Sequence, residues 1–126
     1  MSKWVLDSSA ILAALQGEPG AERVEAVIGN SQASAVNIAE VFTKLAEAGQ
    51  LNKHVLDDFY SLGIEIIDFD TDQARKTAEL RPITKHLGLS LGDRSCLALA
   101  MLTKATAVTA DGAWKKITFC KVDVIR

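Results

Sequence analysis

At 126 residues, with 48% hydrophobic and 24% charged side chains, the chain has the make-up of one folded domain spanning 1–126, with enough apolar material for a real core. No window approaches the roughly 20 apolar residues of a membrane-spanning helix, and the N-terminus lacks a basic stretch leading into an apolar one, so the expected location is the cytoplasm. A net charge of −2 argues against tight non-specific binding to nucleic acid, yet it hides an asymmetry: residues 1–72 carry 4 Lys/Arg against 12 Asp/Glu, residues 73–126 carry 10 against 4.

Near the N-terminus, Trp4-Val5-Leu6 runs without alternation into Asp7-Ser8-Ser9, which reads as a short buried strand ending in a polar site. The helix formers Ala10 to Leu15 follow, so Asp7 falls at a strand-to-helix junction. Gly17 and Pro19-Gly20 break the chain, and Val24, Val27 and Ile28 recur at helical spacing up to Gly29. Ser31 to Ala35 is a weak strand candidate, small and polar. Ile38, Val41, Phe42 and Leu45 then line one face of a helix that Gly49 stops, with Glu40 expected in its first turn. A further helix carries Val55, Leu56, Phe59 and Leu62 as far as Gly63, and Ile64 to Ile67 has the β-branched signature of a strand.

Asp70 to Leu80 predicts a helix, which Pro82 should bend or end. Leu91 to Leu102 is apolar almost all round, marking a helix buried on most sides, with Asp93 at its start. Ala105 to Thr109 predicts a strand, Ala110-Asp111-Gly112 a turn, and Val122 to Ile125 a last strand. Cys96 and Cys120 have no metal-type spacing and are expected to stay reduced, in packing roles; His54 and His86 are isolated. Strands and helices alternate, so the expected architecture is α/β, with a parallel sheet of four or five strands between helix layers.

In such a sheet every strand-to-helix junction lies on one edge, where ligands bind, and Asp7, Glu40, Asp93 and Asp111 all belong to that edge. Each acid has a plain structural role open to it. Asn37 to Glu40 and Ser90 to Asp93 have capping-box spacing, Asp7 can cap the first helix, and Asp111 can hold the turn at Gly112. Together, however, four clustered carboxylates repel one another unless a cation is present. An all-oxygen set suits Mg²⁺, with Mn²⁺ as substitute, and Ser9 and Thr109 supply hydroxyls beside it. The chemistry that follows is metal-assisted hydrolysis of a phosphodiester by one ion or two, with Arg94, Lys115 and Lys116 available to flanking phosphates.

The ordered set Val5-Leu6-Asp7-Ser8-Ser9, Asn37-Ile38-Ala39-Glu40-Val41, Leu91-Gly92-Asp93-Arg94 through Ala100, and Val108-Thr109-Ala110-Asp111 resembles the PIN domain, and more narrowly the VapC-type toxins of toxin–antitoxin pairs. The resemblance covers essentially the whole chain. It implies a three-layer α/β/α fold with sheet order 3-2-1-4-5, in which Asp7 and Asp111 face each other across the topological switch point. It further implies that Asp7, Glu40, Asp93 and Asp111 form the metal-binding catalytic quartet with Ser9 and Thr109 accessory, in a Mg²⁺- or Mn²⁺-dependent endoribonuclease that forms a homodimer and is inhibited by a cognate antitoxin. PIN domains also serve in RNA processing, and a non-catalytic metal- or RNA-binding module would keep the same fold. An aspartyl phosphotransferase fits less well: haloacid-dehalogenase-like enzymes want a second Asp where this chain has Ser9, and a receiver-type module wants a partnering Lys that has no evident place here.

Overall fold

The structure, a computed structural model, describes residues 3–126. Its centre is β1 (Trp4–Leu6), flanked by β2 (Ser31–Ser34) and β4 (Thr106–Thr109); β3 (Glu65–Ile67) and β5 (Val122–Val124) form the edges of an all-parallel sheet in order β3-β2-β1-β4-β5. Val5 pairs with Gln32 on one side and Ala107 on the other, so the middle of β1 is fixed from both flanks. The helices α1 (Ser8–Gln16), α2 (Ala21–Val27), α3 (Ala35–Glu47), α4 (Lys53–Ser61), α5 (Thr71–Glu79), α6 (Arg81–Thr84) and α7 (Leu91–Thr103) connect the strands. None is long and apolar enough to cross a membrane.

Successive strand residues face opposite ways, and β1 divides between two cores on that rule. Leu6 joins Ile11, Val24, Val41, Leu45 and Phe59 beneath α1 to α4, whereas Val5 joins Leu89, Leu97, Leu99 and Trp114 beneath α7. These side chains are almost wholly buried, each fully buried aliphatic one contributing about 1.5–3 kcal/mol. Helix α7 follows β3 and precedes β4, which lie on opposite sides of β1, and it packs across β1, β2 and β4 on the way. The chain therefore reverses its direction of travel across the sheet between β1 and β4, leaving a crevice at their carboxyl ends.

The elements expected from sequence are present, including β2, whose four residues are all buried despite being small and mostly polar. Hydrogen bonds satisfy them: the Ser31 hydroxyl donates to the Ile28 carbonyl (2.7 Å), Gln32 Nε2 to Thr103 Oγ1 (2.9 Å), and Ser34 Oγ accepts from the Val36 amide (3.2 Å). That last bond makes Ser34 the cap of α3, which corrects two sequence expectations. Asn37 is inside the helix rather than its cap, and Glu40 lies in the second turn rather than the first. Pro82 sits near the start of α6 after α5 has ended, as its missing N–H requires.

Before α2, Gly20 has φ +93°, and a Cβ built there would stand 2.7 Å from the Ile125 carbonyl oxygen. Gly29 has free space around it and an ordinary φ. Gly20→Ala should therefore cost about 2 kcal/mol or more, combining left-handed strain with overpacking, while Gly29→Ala should be near neutral. Equilibrium urea unfolding of the two variants tests the contrast; equal stabilities would refute it.

Candidate active site at the carboxyl edge of the sheet

Strand β1 delivers Asp7 directly into the crevice, where its carboxylate caps α1: Oδ1 accepts from the Ala10 amide (3.0 Å) and from the Ser9 hydroxyl (2.6 Å). The other oxygen, Oδ2, accepts from Thr109 Oγ1 (2.8 Å) at the end of β4. Ser9 and Thr109 lie 3.3 Å apart, Ser9 Oγ accepts from the Ala110 amide (2.9 Å), and Thr109 Oγ1 accepts from the Asp111 amide (3.1 Å). One connected network thus joins Asp7, Ser9, Thr109 and the backbone of Asp111 across the switch point. The Asp111 carboxylate, exposed, accepts from the Ala113 amide (2.9 Å) and caps the 3₁₀ turn Gly112–Lys116.

A second network is built by α3 and α7. Asp93 and Ser90 form a reciprocal capping box at the start of α7, with the Ser90 amide donating to Asp93 Oδ2 (2.9 Å) and the Asp93 amide to Ser90 Oγ (3.1 Å). Asn37, fully buried, donates its side-chain amide both to Glu40 Oε1 (2.9 Å) and to the Gly92 carbonyl (3.0 Å), tying the second turn of α3 to the first turn of α7. The Glu40 carboxylate occupies the space in which a Cβ on Gly92 would stand. A groove of about 450 Å³ opens beside it, lined by Val36, Glu40, Lys44, Ser90, Leu91 and Gly92.

Asp7, Asp93 and Asp111 each sit at the start of a helical element, and the Asp93 charge is felt at Asp7. Asp7 is only 3% exposed, and burial raises its carboxyl from 3.8 to about 6; hydrogen bonds from Ser9, Thr109 and the Ala10 amide oppose that shift, and the Asp93 charge adds to it. On the buried side of α7, burial and then the Asp7 charge push the Cys96 thiol well above its ordinary range, with Cys120, Asp93 and Glu40 contributing. Its Sγ donates to the Val5 carbonyl (3.8 Å), a packing role, and Cys96 and Cys120 are both free thiols.

Among the described residues, no three His, Cys, Asp or Glu side chains are grouped closely enough to hold a metal ion jointly. The donor set nonetheless fits a hard divalent cation. Its groups are carboxylate and hydroxyl oxygens, and Mg²⁺ binds through one or two carboxylates while keeping several waters, so no closed protein cage is required. The basic residues divide. Lys115 and Lys116 are exposed on the turn that Asp111 starts, whereas Arg94 is half-buried and donates from Nη1 to the Thr77 carbonyl of α5 (3.0 Å). His54 and His86 are exposed.

Sequence reasoning missed Asn37 and Gly92 as parts of the site. The spacing of Asn37 and Glu40, three apart on one helix, was the available signal for the first. Gly92 had none, because its importance lies in what α3 brings against it.

A parallel α/β sheet with a buried, hydrogen-bonded carboxylate at its switch point defines a class of proteins, and comparison with known ones narrows it. Residues 4–119 match the model of the PIN domain. Ribonuclease VapC42 of Mycobacterium tuberculosis and a VapC ribonuclease of Mycobacterium bovis are each 34% identical to this chain, with 79% of it and 83% of the relative covered. DNA-bound VapBC from Salmonella typhimurium has the same fold, with a TM-score of 0.80 at 20% identity and 100% of both chains covered. VapBC2 from Rickettsia felis, bound to a DNA fragment from its promoter, gives 0.77 at 24% identity with 98% of both chains covered. The chain belongs to the PIN-domain family, in its VapC branch.

The raised pKa of Asp7 has a consequence for stability. The folded protein holds this proton more tightly than the unfolded chain, so the associated stabilisation is fully present below about pH 4 and is lost as pH rises through about 6. The rise from 3.8 to about 6 corresponds to about 3 kcal/mol. Without metal, Asp7→Asn should therefore raise stability by up to about 3 kcal/mol at pH 8, and the gain should vanish by pH 4. Denaturant unfolding at the two pH values measures it; a variant no more stable than the parent at pH 8 would contradict the electrostatic account.

Proposed function

We propose that this chain is a Mg²⁺-dependent endoribonuclease, with Mn²⁺ as an effective substitute, and that it is the toxin of a VapBC-type toxin–antitoxin pair acting in the cytoplasm as a homodimer. The observation that carries the reading is the buried Asp7 carboxylate, held from both oxygens at the switch point, with Asp93, Asp111 and Glu40 on the same edge. That arrangement costs stability by itself and is repaid when a cation is present. The names of the relatives support ribonuclease activity, and the solved VapBC complexes support a protein antitoxin as partner.

Asp7 and Asp93 would hold the ion, with Glu40 and Asp111 acting directly or through water. When bound, Mg²⁺ supplies Lewis-acid polarisation of the phosphodiester and activation of water at neutral pH. Ser9 and Thr109 keep the Asp7 carboxylate oriented, and the Ala110 amide, bonded to Ser9, ties the start of α1 to the end of β4. Lys115 and Lys116 offer ammonium groups to phosphates flanking the scissile bond.

The purified protein should cleave structured RNA with Mg²⁺ or Mn²⁺ and stop on chelation. Asp93→Asn, which retains a capping side chain, should lower kcat by about 100-fold or more, at or beyond the upper end of what losing a ligand-supporting group costs. Turnover that survives chelator would sink the metal mechanism, and full activity in Asp93→Asn would return that residue to capping alone. Replacing Lys115 and Lys116 together with Ala should raise KM and flatten the dependence of RNA binding on salt by up to about two phosphate contacts. A change confined to kcat would remove these lysines from the substrate path. Sedimentation of the purified chain, alone and with the product of a neighbouring short reading frame, tests the dimer and the antitoxin.

A further inference from the structure

Glu40 stands apart from the other acids. Asp7, Asp93 and Asp111 are held by the backbone amides of the helical elements they cap, while Glu40 projects from the second turn of α3 and borrows its position from elsewhere. One support is Asn37, which is fully buried and bridges Glu40 Oε1 and the Gly92 carbonyl. Its own Oδ1 is buried without a protein partner, so its placement here carries the cost of an unmet hydrogen bond. The other support is an absence of atoms. Gly92 is the second residue of α7, in ordinary helical conformation, where Ala would be favoured by propensity. The space its missing Cβ leaves is filled by the Glu40 carboxylate.

We propose that Asn37 and Gly92 are positioning residues that form a cradle for the Glu40 carboxylate, setting it against the first turn of α7 beside Asp93, so that Glu40 can serve the cation held at this edge. The inference rests on the metal-dependent reading above. The three atoms that a methyl group at position 92 would meet first all belong to the far end of the flexible Glu40 side chain, which can swing out with the backbone in place. Gly92→Ala thereby separates folding from function: the helix gains a better former as the acid loses its place.

The test is Mn²⁺ titration, followed by electron paramagnetic resonance, on the full chain as wild type, Gly92→Ala, Asn37→Ala, Glu40→Ala and the double variant Gly92→Ala/Glu40→Ala, with metal-free melting curves alongside. Gly92→Ala should melt at or above the wild-type temperature yet bind Mn²⁺ about 10–100-fold more weakly, as expected when a group that orients a ligand is lost. Asn37→Ala should weaken binding in the same range. On the Glu40→Ala background, Gly92→Ala should weaken binding no further, because the two act through one carboxylate. Wild-type affinity in Gly92→Ala, with Glu40→Ala impaired, would overturn the cradle alone. A further loss in the double variant would also overturn it, by showing that position 92 acts through Asp93. Equal Mn²⁺ affinity in wild type and Glu40→Ala, or no binding by either, would overturn the cradle together with the part of the metal reading that includes Glu40.

Discussion

A carboxylate removed from water at the end of the central strand is the constraint on which the rest of this structure depends. Asp7 can be buried because three donors, from α1, Ser9 and Thr109, satisfy both of its oxygens. Those donors come from elements that only the topology brings together, since Ser9 and Thr109 are 100 residues apart in sequence. The crossover by α7 puts β4 beside β1, and the parallel register of Leu6 with Val108 sets Thr109 level with Asp7. A shift of that register by one residue would turn the Thr109 side chain to the opposite face of the sheet and leave a buried charge without a donor.

The same logic separates the two halves of the site. On the β1–β4 side Asp7 and Asp111 are held by caps close to them in sequence, and Asp7 also by Thr109 across the paired strands. On the α3–α7 side Glu40 depends on contact between two helices, through Asn37 and Gly92. Small changes in how α3 seats against α7 therefore act on Glu40 first, and Asp7 is insulated from them by its own hydrogen bonds.

Much of this was legible in the sequence. Trp4 to Leu6 and the long apolar run of α7 announce buried elements, and Asp7, Asp93 and Asp111 stand where strands and caps end, so the edge that gathers them follows from an alternating α/β order. The weaker signals have identifiable reasons. β2 gives a weak signal because its small residues are buried by hydrogen bonding rather than by apolarity. It also runs into α3 with no loop, which hides Ser34 as the cap and makes Asn37 look like one. Gly92 was invisible for a different reason: a glycine whose purpose is to leave room is legible only once the neighbour that uses the room is known.

Three of the four acids hold helix ends in place with their own carboxylate oxygens. The geometry of the site and the fraying of those ends are thus one equilibrium, and the amides of Ala10, Ser90 and Ala113, each bonded to one of these carboxylates, are its natural reporters. In hydrogen exchange, helix termini ordinarily open far more often than the core. Whatever occupies this edge and draws on those carboxylates will alter how often the first turn of α1 or α7 opens, so occupancy will register as a local change in exchange even where the mean structure does not move.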